Sequence, residues 1–507
     1  MKASGIFLSV LSGLLLTAGF PSTDLFYLSW IALVPLFWAL RGQGPKKALL
    51  LGLVCGLVHY ATTLYWIRYV LYYYGGLPLP VALLALLLLC SYLALYPAVF
   101  AMVTSWWSSR PALWAFGLPF VWVALEWVRA HALTGFPWAN LGYTQTLFTP
   151  LTQIADVTGV FGVSWLIVFA NTSVSAWLNG WRVRMACLAA LLLCVGGTLT
   201  YGFLRLDTVR DLQANARPWT VGVAQGNVDQ SKKWDPAFQQ ETLKRYRELS
   251  LKAAASNPAP DLIVWPETAA PFFYGIEDEL TAQLNGIIRE AGVPVLFGSP
   301  AMTHIDGQVR LLNRAYLVDS RGVIAGAYAK QHLVPFGEYV PLKDYLFFIK
   351  KLVEQAGDFV AGDDSSPLSL GGRLFGVLIC YEGIFPDLSR QTVLRGANAL
   401  VVITNDAWYG PTSAPYQHLD LARWRSIEFR VPMIRAANTG VSAAFDAVGA
   451  TLATIPLNEM GEFAVTVHPL NVQTIYAKWG DFFAWICVLV AVGGTIYRAR
   501  ERRTTQA

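Results

Sequence analysis

The chain has 507 residues, of which 55% are hydrophobic and only 14% are charged, whereas soluble proteins average about 25% charged residues. This composition excludes an ordinary soluble protein and predicts a polytopic membrane protein. The net charge is only +5 and the basic residues flank apolar segments, so no nucleic-acid partner is expected. The sequence lacks GxGxxG, Walker and HExxH motifs and its six histidines are scattered, so neither a cofactor nor a metal site is predicted.

Eight apolar segments occur along the chain, each near the roughly 20 residues that a helix needs to cross a bilayer. They cover about residues 5–20, 25–40, 47–67, 79–107, 112–130, 160–180, 183–203 and 480–497. The first two are short for a span. The first follows Lys2, as in a signal peptide. Because Leu16 and Ala18 form a poor cleavage site, we expect a retained helix.

Lysines and arginines fall in alternate connections between these segments. They are Arg41, Lys46 and Lys47, then Arg110, then Arg182 and Arg184, and finally Arg498, Arg500, Arg502 and Arg503. Basic loops remain in the cytoplasm, so the insert before the last segment is predicted to face outward. The expected domains are residues 1–203 with seven spans, 204–478 as a soluble insert, and 479–507 with the eighth span and a basic tail.

The insert has the pattern of an α/β domain. Apolar strand-like runs at 220–225, 262–265, 295–298, 374–379 and 399–403 alternate with helical stretches at 236–255, 277–291 and 415–429. Such alternation predicts layers of helices on a sheet.

Two of these strand-like runs, and a further one at 323–328, lead to a chemically reactive side chain. Glu267 follows Asp261-Leu-Ile-Val-Trp-Pro, Lys330 follows the run 323–328, and Cys380 ends Leu374–Ile379. Together they offer a general base, a cation for an oxyanion and a nucleophile. Taken one at a time, a solvated loop carboxylate, a surface lysine and a core cysteine are the simpler interpretations.

Longer motifs around these residues resemble a known family. WPET at 265–268, KxxLVPFGE at 330–338 and CYE at 380–382 resemble the Glu-Lys-Cys signature of the nitrilase (carbon–nitrogen hydrolase) superfamily. LVPFGEYVP, NDAWYG and the apolar segments resemble its membrane-anchored apolipoprotein N-acyltransferase family. The resemblance implies an αββα sandwich with Glu267 as general base, Cys380 as nucleophile, and Lys330 as the cation that keeps Cys380 as a thiolate.

The resemblance also implies supporting residues. Glu338 and Glu382 would orient Lys330, and the backbone N–H of Tyr381 would be a second oxyanion donor. His332 receives no role, because a histidine at a strand end is usually a satisfied polar neighbour. A further set matches family positions and would bind substrate or shape the acyl pocket, although loop aromatics usually just pack: Trp234, Asn405, Trp408, Tyr409 and Arg435, the last in the motif RAANTG with Asn438, Thr439 and Gly440.

Three segments outside the motifs bear on access to the site. Residues 342–354 have apolar residues at helical spacing, which fits either a packed helix or a lid that dips into the membrane interface. The loop 135–143 lies on the predicted outer side. Glu126 and Arg129, spaced i, i+3 near a span end, are expected to anchor the helix at the interface.

The function that the resemblance implies is a two-step acyl transfer in the bacterial inner membrane, with the catalytic domain in the periplasm. Cys380 would take the sn-1 acyl chain of a phospholipid, phosphatidylethanolamine by preference, as a thioester. The acceptor would be the α-amino group of the S-diacylglyceryl cysteine of an apolipoprotein. Two alternatives stay open: a membrane-tethered amidase or nitrilase that transfers the acyl group to water, and a transporter with an accessory outer domain.

Overall fold

The structure is a computed structural model that describes residues 3–305, 307–339 and 359–506. Its contacts divide the chain into two units. The first unit contains the described residues of 1–68, 78–207 and 479–507, and the second contains those of 69–77 and 208–478. The segment Tyr69–Leu77 therefore belongs to the second unit, although the sequence placed it among the helices of the first domain.

The described helices are these: α1 Ala3–Ala18, α2 Val34–Ala39, α3 Pro45–Thr63, α4 Trp66–Tyr69, α5 Leu79–Trp107, α6 Pro111–His131, α7 Thr149–Thr152, α8 Ala155–Thr158, α9 Val160–Leu178, α10 Arg184–Ala214, α11 Pro236–Ala254, α12 Asp278–Ala291, α13 Pro386–Leu394, α14 Ala414–Phe429, α15 Ile475–Trp479 and α16 Phe482–Gln506. Short 3-10 turns cover Phe26–Trp30, Leu141–Gln145, Cys380–Ile384 and Asp406–Tyr409, and a π-helical turn covers Val70–Tyr74.

The expected count of eight membrane spans is not confirmed. In the part of the chain that the structure describes, five helices are long and apolar enough to cross a membrane, namely α5, α6, α9, α10 and α16. A sixth candidate is α3 together with residues 66–74, which is bent by 53°. Helix α1 has 16 residues and is about 24 Å long, which is less than the roughly 30 Å hydrocarbon core. Residues 26–39 divide into a 3-10 turn and the six-residue helix α2.

Within the first unit, Glu126 and Arg129 hold the loop that follows α6. Both side chains are buried. The Glu126 carboxylate accepts a hydrogen bond from the Leu141 backbone N–H at 2.6 Å, and Arg129 donates to the Asn140 side chain at 2.6 Å. The expectation of an interface anchor was wrong, because both groups bind loop atoms inside the protein.

The described residues of the second unit form twelve strands: β1 Trp219–Gln225, β2 Leu262–Val264, β3 Val295–Ile305, β4 Gln308–Val318, β5 Ile324–Ala329, β6 Leu368–Leu370, β7 Arg373–Ile379, β8 Ala399–Thr404, β9 Met433–Ala437, β10 Ser442–Phe445, β11 Thr451–Ile455 and β12 Gly461–Val467. They form two six-stranded sheets with the orders β12-β1-β2-β3-β4-β5 and β11-β10-β9-β8-β7-β6. The central pairs β1–β2, β2–β3, β7–β8 and β8–β9 are parallel.

Side-chain alternation along the strands builds a four-layer sandwich. On β7, Val377 and Ile379 lie in a core shared with β1, β2 and β3, whereas Leu378 faces α14. On β3, Phe297 faces α11 and α12. Both faces of each central strand are therefore buried, which explains why these strands read as continuous apolar runs. The layer order is helix, sheet, sheet, helix.

Candidate active site

Glu267 is held close to the sheet by a tight turn after β2. The next residue, Thr268, has φ +52°, a conformation that is uncommon outside glycine. A Cβ atom on Gly298 of β3 would lie 2.7 Å from Glu267 Cα, so a glycine there lets the turn pack directly on the strand. Glu267 is only 6% exposed, and its carboxylate accepts hydrogen bonds from Asn313 Nδ2 at 2.7 Å and from the Asn405 backbone N–H at 2.9 Å.

Lys330 follows β5 directly and is paired with two carboxylates. It is 1% exposed. Its Nζ lies 2.9 Å from Glu338 Oε2 and 3.7 Å from Glu267 Oε1, and Asn313 Nδ2 also donates to Glu338 Oε1 at 3.1 Å. Desolvation lowers the pKa of Lys330, but the charges of Glu338 and Glu267 outweigh it and raise that pKa above its ordinary value. The ammonium is therefore permanently charged.

Cys380 follows β7 and begins a 3-10 turn with φ +56°. This left-handed conformation in a non-glycine residue is costly, and such strain is concentrated at functional sites. The Cys380 side chain is 7% exposed. Its carbonyl oxygen lies 3.2 Å from His418 Nε2, and this contact holds the turn in place.

The surroundings of Cys380 act on its thiol in opposite directions. Burial raises the pKa of the Cys380 thiol well above its ordinary value, and the charge of Glu267 adds to this. The charge of Lys330 acts in the opposite direction and does not prevail. The raised pKa favours the neutral thiol.

Glu382 anchors the turn that carries Cys380 rather than orienting Lys330 by an ion pair. It is fully buried. Its carboxylate accepts from the backbone N–H groups of Ile379 at 2.7 Å, Gln331 at 2.6 Å and His332 at 3.0 Å, and from Tyr328 Oη at 3.0 Å. Burial raises the pKa of Glu382 to about 7, although the backbone donors oppose the shift. One carboxylate therefore joins the start of the loop after β5 to the turn that carries Cys380.

Arg435, predicted to bind substrate, is instead fully buried. Its Nη2 lies 2.5 Å from Asp406 Oδ2, and Asp406 Oδ1 lies 3.0 Å from His418 Nδ1. Burial raises the pKa of Asp406, but Arg435 and His418 outweigh it and hold that pKa below the ordinary range. These three side chains form a buried network that contacts the Cys380 backbone through His418.

Asn405 and Asn438 join the loops around Glu267. Asn405 Nδ2 donates to Gln230 Oε1 at 2.6 Å, and Asn438 Nδ2 donates to Asn405 Oδ1 at 3.1 Å. Asn438 also bonds both backbone groups of Val228, at 2.9 Å and 2.8 Å. The RAANTG motif thus positions the loop that supplies the Asn405 backbone N–H to Glu267.

The predicted aromatic residues lie in different environments. Trp234 is 38% exposed. The Trp408 ring packs edge-on against Tyr74 with centroids 5.2 Å apart, and Tyr409 packs edge-on against His418 at 5.9 Å. Burial raises the pKa of Tyr409, and the charges of Cys380 and Asp406 add to this. Of this set, Tyr409 is therefore buried and contacts His418.

The sequence did not single out four residues of this site: Lys233, Asn313, Asp406 and His418. Lys233 is 1% exposed and its Nζ donates to the Glu267 backbone carbonyl at 3.2 Å. Lys233 and Asp406 lie in motifs that were noted for their aromatic residues, which was an available signal. His418 is in the middle of α14 and Asn313 in the middle of β4, where no local pattern marks them. The proposed lid, residues 342–354, lies outside the described residues.

Comparison with known sequences identifies the family to which this two-sheet fold and its site belong. A profile of the carbon-nitrogen hydrolase family matches residues 220–478, so the second unit belongs to that family. A profile of the apolipoprotein N-acyltransferase N-terminal domain matches residues 12–173.

Full-length relatives identify the chain more narrowly. Apolipoprotein N-acyltransferase from Geobacter metallireducens is 44% identical over 487 residues, covering 95% of this chain and 92% of that protein. The enzyme of that name from Methylococcus capsulatus is 35% identical and covers 100% of this chain and 98% of its own length. Among solved structures, an amidase from Nesterenkonia sp. aligns at 22% identity over 52% of this chain and 94% of its own, with a TM-score of 0.38. The chain belongs to the apolipoprotein N-acyltransferase family.

Proposed function

We propose that this chain N-acylates lipoproteins by a ping-pong reaction through Cys380. The acyl donor is the sn-1 ester of a phospholipid, phosphatidylethanolamine by preference, and the acceptor is the α-amino group of the S-diacylglyceryl cysteine of an apolipoprotein. The observation that supports this best is the buried pair of Lys330 and Glu267, 3.7 Å apart, together with Cys380 in a left-handed turn at a strand end, in a chain of this family.

In the first half-reaction, Glu267 accepts the proton of the Cys380 thiol while Sγ attacks the ester carbonyl carbon. The oxyanion that forms is stabilised by the Lys330 ammonium and by the backbone N–H of Tyr381. When the intermediate collapses, the bond from carbonyl carbon to the sn-1 oxygen breaks. The leaving oxygen takes the proton from Glu267 and departs as lysophospholipid, and the acyl chain remains on Cys380 as a thioester.

In the second half-reaction, the neutral α-amino group attacks the thioester. An unperturbed α-amino pKa of about 7.7 to 8.0 leaves a useful neutral fraction near pH 7. Glu267 accepts the excess proton of the amine, the C–S bond breaks, and the Cys380 sulfur recovers that proton. The products are an N-acylated lipoprotein and the original thiol.

The surrounding residues support these steps. Glu338 holds Lys330, Glu382 holds the Cys380 turn, and Arg435 acts through Asp406 and His418. Trp234, Trp408, Tyr409 and Asn405 shape the entrance and keep water from the thioester, which would otherwise be hydrolysed. In this proposal the enzyme lies in the bacterial inner membrane and its second unit faces the periplasm.

The deciding experiment is incubation of the purified full-length chain with acyl-labelled phospholipid and no acceptor. We expect labelled enzyme and lysophospholipid in equal amounts, release of the label by neutral hydroxylamine, and no adduct with Cys380→Ala. A diacylglyceryl peptide should then discharge the adduct into an amide faster than water does. If product forms under single-turnover conditions while acylated enzyme is absent, a direct ternary transfer replaces this mechanism.

A second candidate is hydrolysis of an amide, which the match to the carbon-nitrogen hydrolase family favours. The same experiment separates the two. Hydrolysis of simple amides without any labelling by phospholipid would support the amidase.

A further inference from the structure

Lys233 is a buried lysine beside the proposed base, with no role in the mechanism above. Its side chain is 1% exposed, and Nζ donates to the Glu267 backbone carbonyl at 3.2 Å. Among the residues that the structure describes, no carboxylate oxygen lies within 4.0 Å of Nζ. The neighbouring Lys232 is exposed, with its Nζ 5.3 Å from the Phe238 ring centroid.

Burial of a lysine without a paired anion is costly, and such groups are concentrated at functional sites. Lys233 lies against the turn after β2 that carries Glu267, and its ammonium is attracted to Cys380, in the turn after β7, when that thiol loses its proton. Glu267 is in turn coupled to Lys330, which is paired with Glu338. Lys233 therefore belongs to the same group of charges as the proposed catalytic residues.

We propose that Lys233 is a second cation of the active site, which offsets the negative charge that Cys380 and the substrate oxygen acquire during acylation. Lys330 is paired with the carboxylates of Glu338 and Glu267, whereas the Lys233 ammonium bonds only the Glu267 backbone carbonyl among the described residues, so its charge is not already balanced by a carboxylate. The tetrahedral intermediate then forms in a site that holds a second positive charge. Lys233 acts through Cys380 and Glu267, so it is a positioning residue. The proposal rests on the proposed function only for the identity of the substrate.

The effect of Lys233 on the reactivity of Cys380 depends on pH, because it requires the charged form of the lysine. Burial lowers the pKa of Lys233 to about 8, and the charges of Glu267 and Cys380 only partly oppose this. The second cation is therefore present at pH 7 and lost above pH 8. Because the folded pKa lies below the ordinary value, the buried charge destabilises the fold at pH 7, and stability is regained as pH rises from about 8 toward about 10.4.

The test compares Lys233→Met with Lys232→Met in the full-length chain, reconstituted with phosphatidylethanolamine. The first readout is alkylation of Cys380 by iodoacetamide without added acceptor, followed by mass spectrometry from pH 6 to 10. At pH 7 we expect alkylation and acylation to be about tenfold slower in Lys233→Met, and the difference to shrink above pH 9, where the wild-type lysine is neutral. Lys232→Met should match the wild type throughout.

Thermal unfolding separates this role from a structural one. We expect the Tm of Lys233→Met at pH 7 to equal or exceed that of the wild type, because a buried charge is removed. A pH-independent loss of reactivity with a lowered Tm would overturn the proposal, as would wild-type alkylation in Lys233→Met. Alkylation does not require the lipid donor, so absence of phospholipid turnover in the wild type would refute the proposed function alone.

Discussion

Cys380 owes its position to backbone contacts more than to its side chain. The left-handed turn is held from one side by Glu382, through the Ile379 N–H at 2.7 Å, and from the other by His418, at the Cys380 carbonyl oxygen. Burial and the charge of Arg435 lower the pKa of His418. The ring lies between two acceptors, with Nδ1 3.0 Å from Asp406 Oδ1 and Nε2 3.2 Å from the Cys380 carbonyl oxygen.

At the same scale, Lys330→Arg is expected to fail although the charge is kept. A lysine is a compact donor on a flexible stem, whereas a guanidinium is a planar fork. In a pocket where the native side chain is 1% exposed, the fork cannot occupy the position of Nζ between Glu338 and Glu267. Loss of one oxyanion donor costs about 10²–10³ in turnover, and we expect a loss of that size in the single-turnover acylation rate.

The matched control for that change is Lys232→Arg, the same substitution at an exposed lysine of the second unit, which should leave the rate within about twofold. Near-normal turnover in Lys330→Arg would show that Lys330 is only a scaffold residue.

At the scale of elements, the ends of the strands could be predicted from the sequence, but the side-chain contacts between elements could not. Continuous apolar runs ending at Glu267, Lys330 and Cys380 identified the edge of the sandwich, because strands buried on both faces read that way. The network of Asp406, His418 and Arg435 joins β8, α14 and β9 across the fold, and no local periodicity reports such a contact. Lys233 was missed for a different reason, because a lysine in a loop is usually exposed.

The segment Val70–Tyr74 is a second element whose contacts the sequence did not reveal. It forms a π-helical turn, a feature frequent at functional sites. Its Tyr74 packs on Trp408, and Tyr69, just before the turn, packs so closely on Gly410 that a methyl group there would overlap its ring. The π-helical turn therefore packs against the loop that carries Tyr409 and supports it.

Gly410→Ala is therefore expected to lower acyl transfer about tenfold, because the new methyl group displaces either Tyr69 or the loop 405–409. Gly410 has φ +59°, so part of any effect is backbone strain. The control is Gly371→Ala, with φ +57° and nothing within 4 Å of the added methyl group, which should lose stability but not activity.

A double-mutant cycle with Tyr69→Ala completes this test. If the overlap is the cause, Tyr69→Ala should recover much of the activity lost in Gly410→Ala. The explanation is refuted if Gly410→Ala behaves like Gly371→Ala in both acylation rate and Tm.

At the scale of the whole molecule, hydropathy gives eight apolar segments, whereas five helices, or six with the bent segment, are long and apolar enough to cross a membrane in the described residues. The numbers differ because hydropathy reports composition and not helix length. Residues 3–18 and 26–39 are apolar, but they form only shorter helices. These two segments do not affect the predicted side of the insert. Whether they cross the membrane twice or form a hairpin that does not cross it, the chain returns to the same side. The positions of the basic residues also indicate whether the sixth candidate span crosses the membrane. Lys46 and Arg110 fall on one side only if the bent segment formed by α3 and residues 66–74 crosses the membrane.

The last prediction is that residues 208–478 face the periplasm. Six crossings by α3 with its bent continuation, α5, α6, α9, α10 and α16 place every basic connection on the cytoplasmic side and the second unit outside. Asp363 is exposed in that unit and Thr504 is exposed near the C-terminus. In a cysteine-free variant, Asp363→Cys should react with a membrane-impermeant maleimide in intact spheroplasts, whereas Thr504→Cys should react only after lysis. The reverse pattern would invert the topology. It would also separate the second unit from a lipoprotein acceptor on the outer face, so the proposed acyl transfer would need another acceptor.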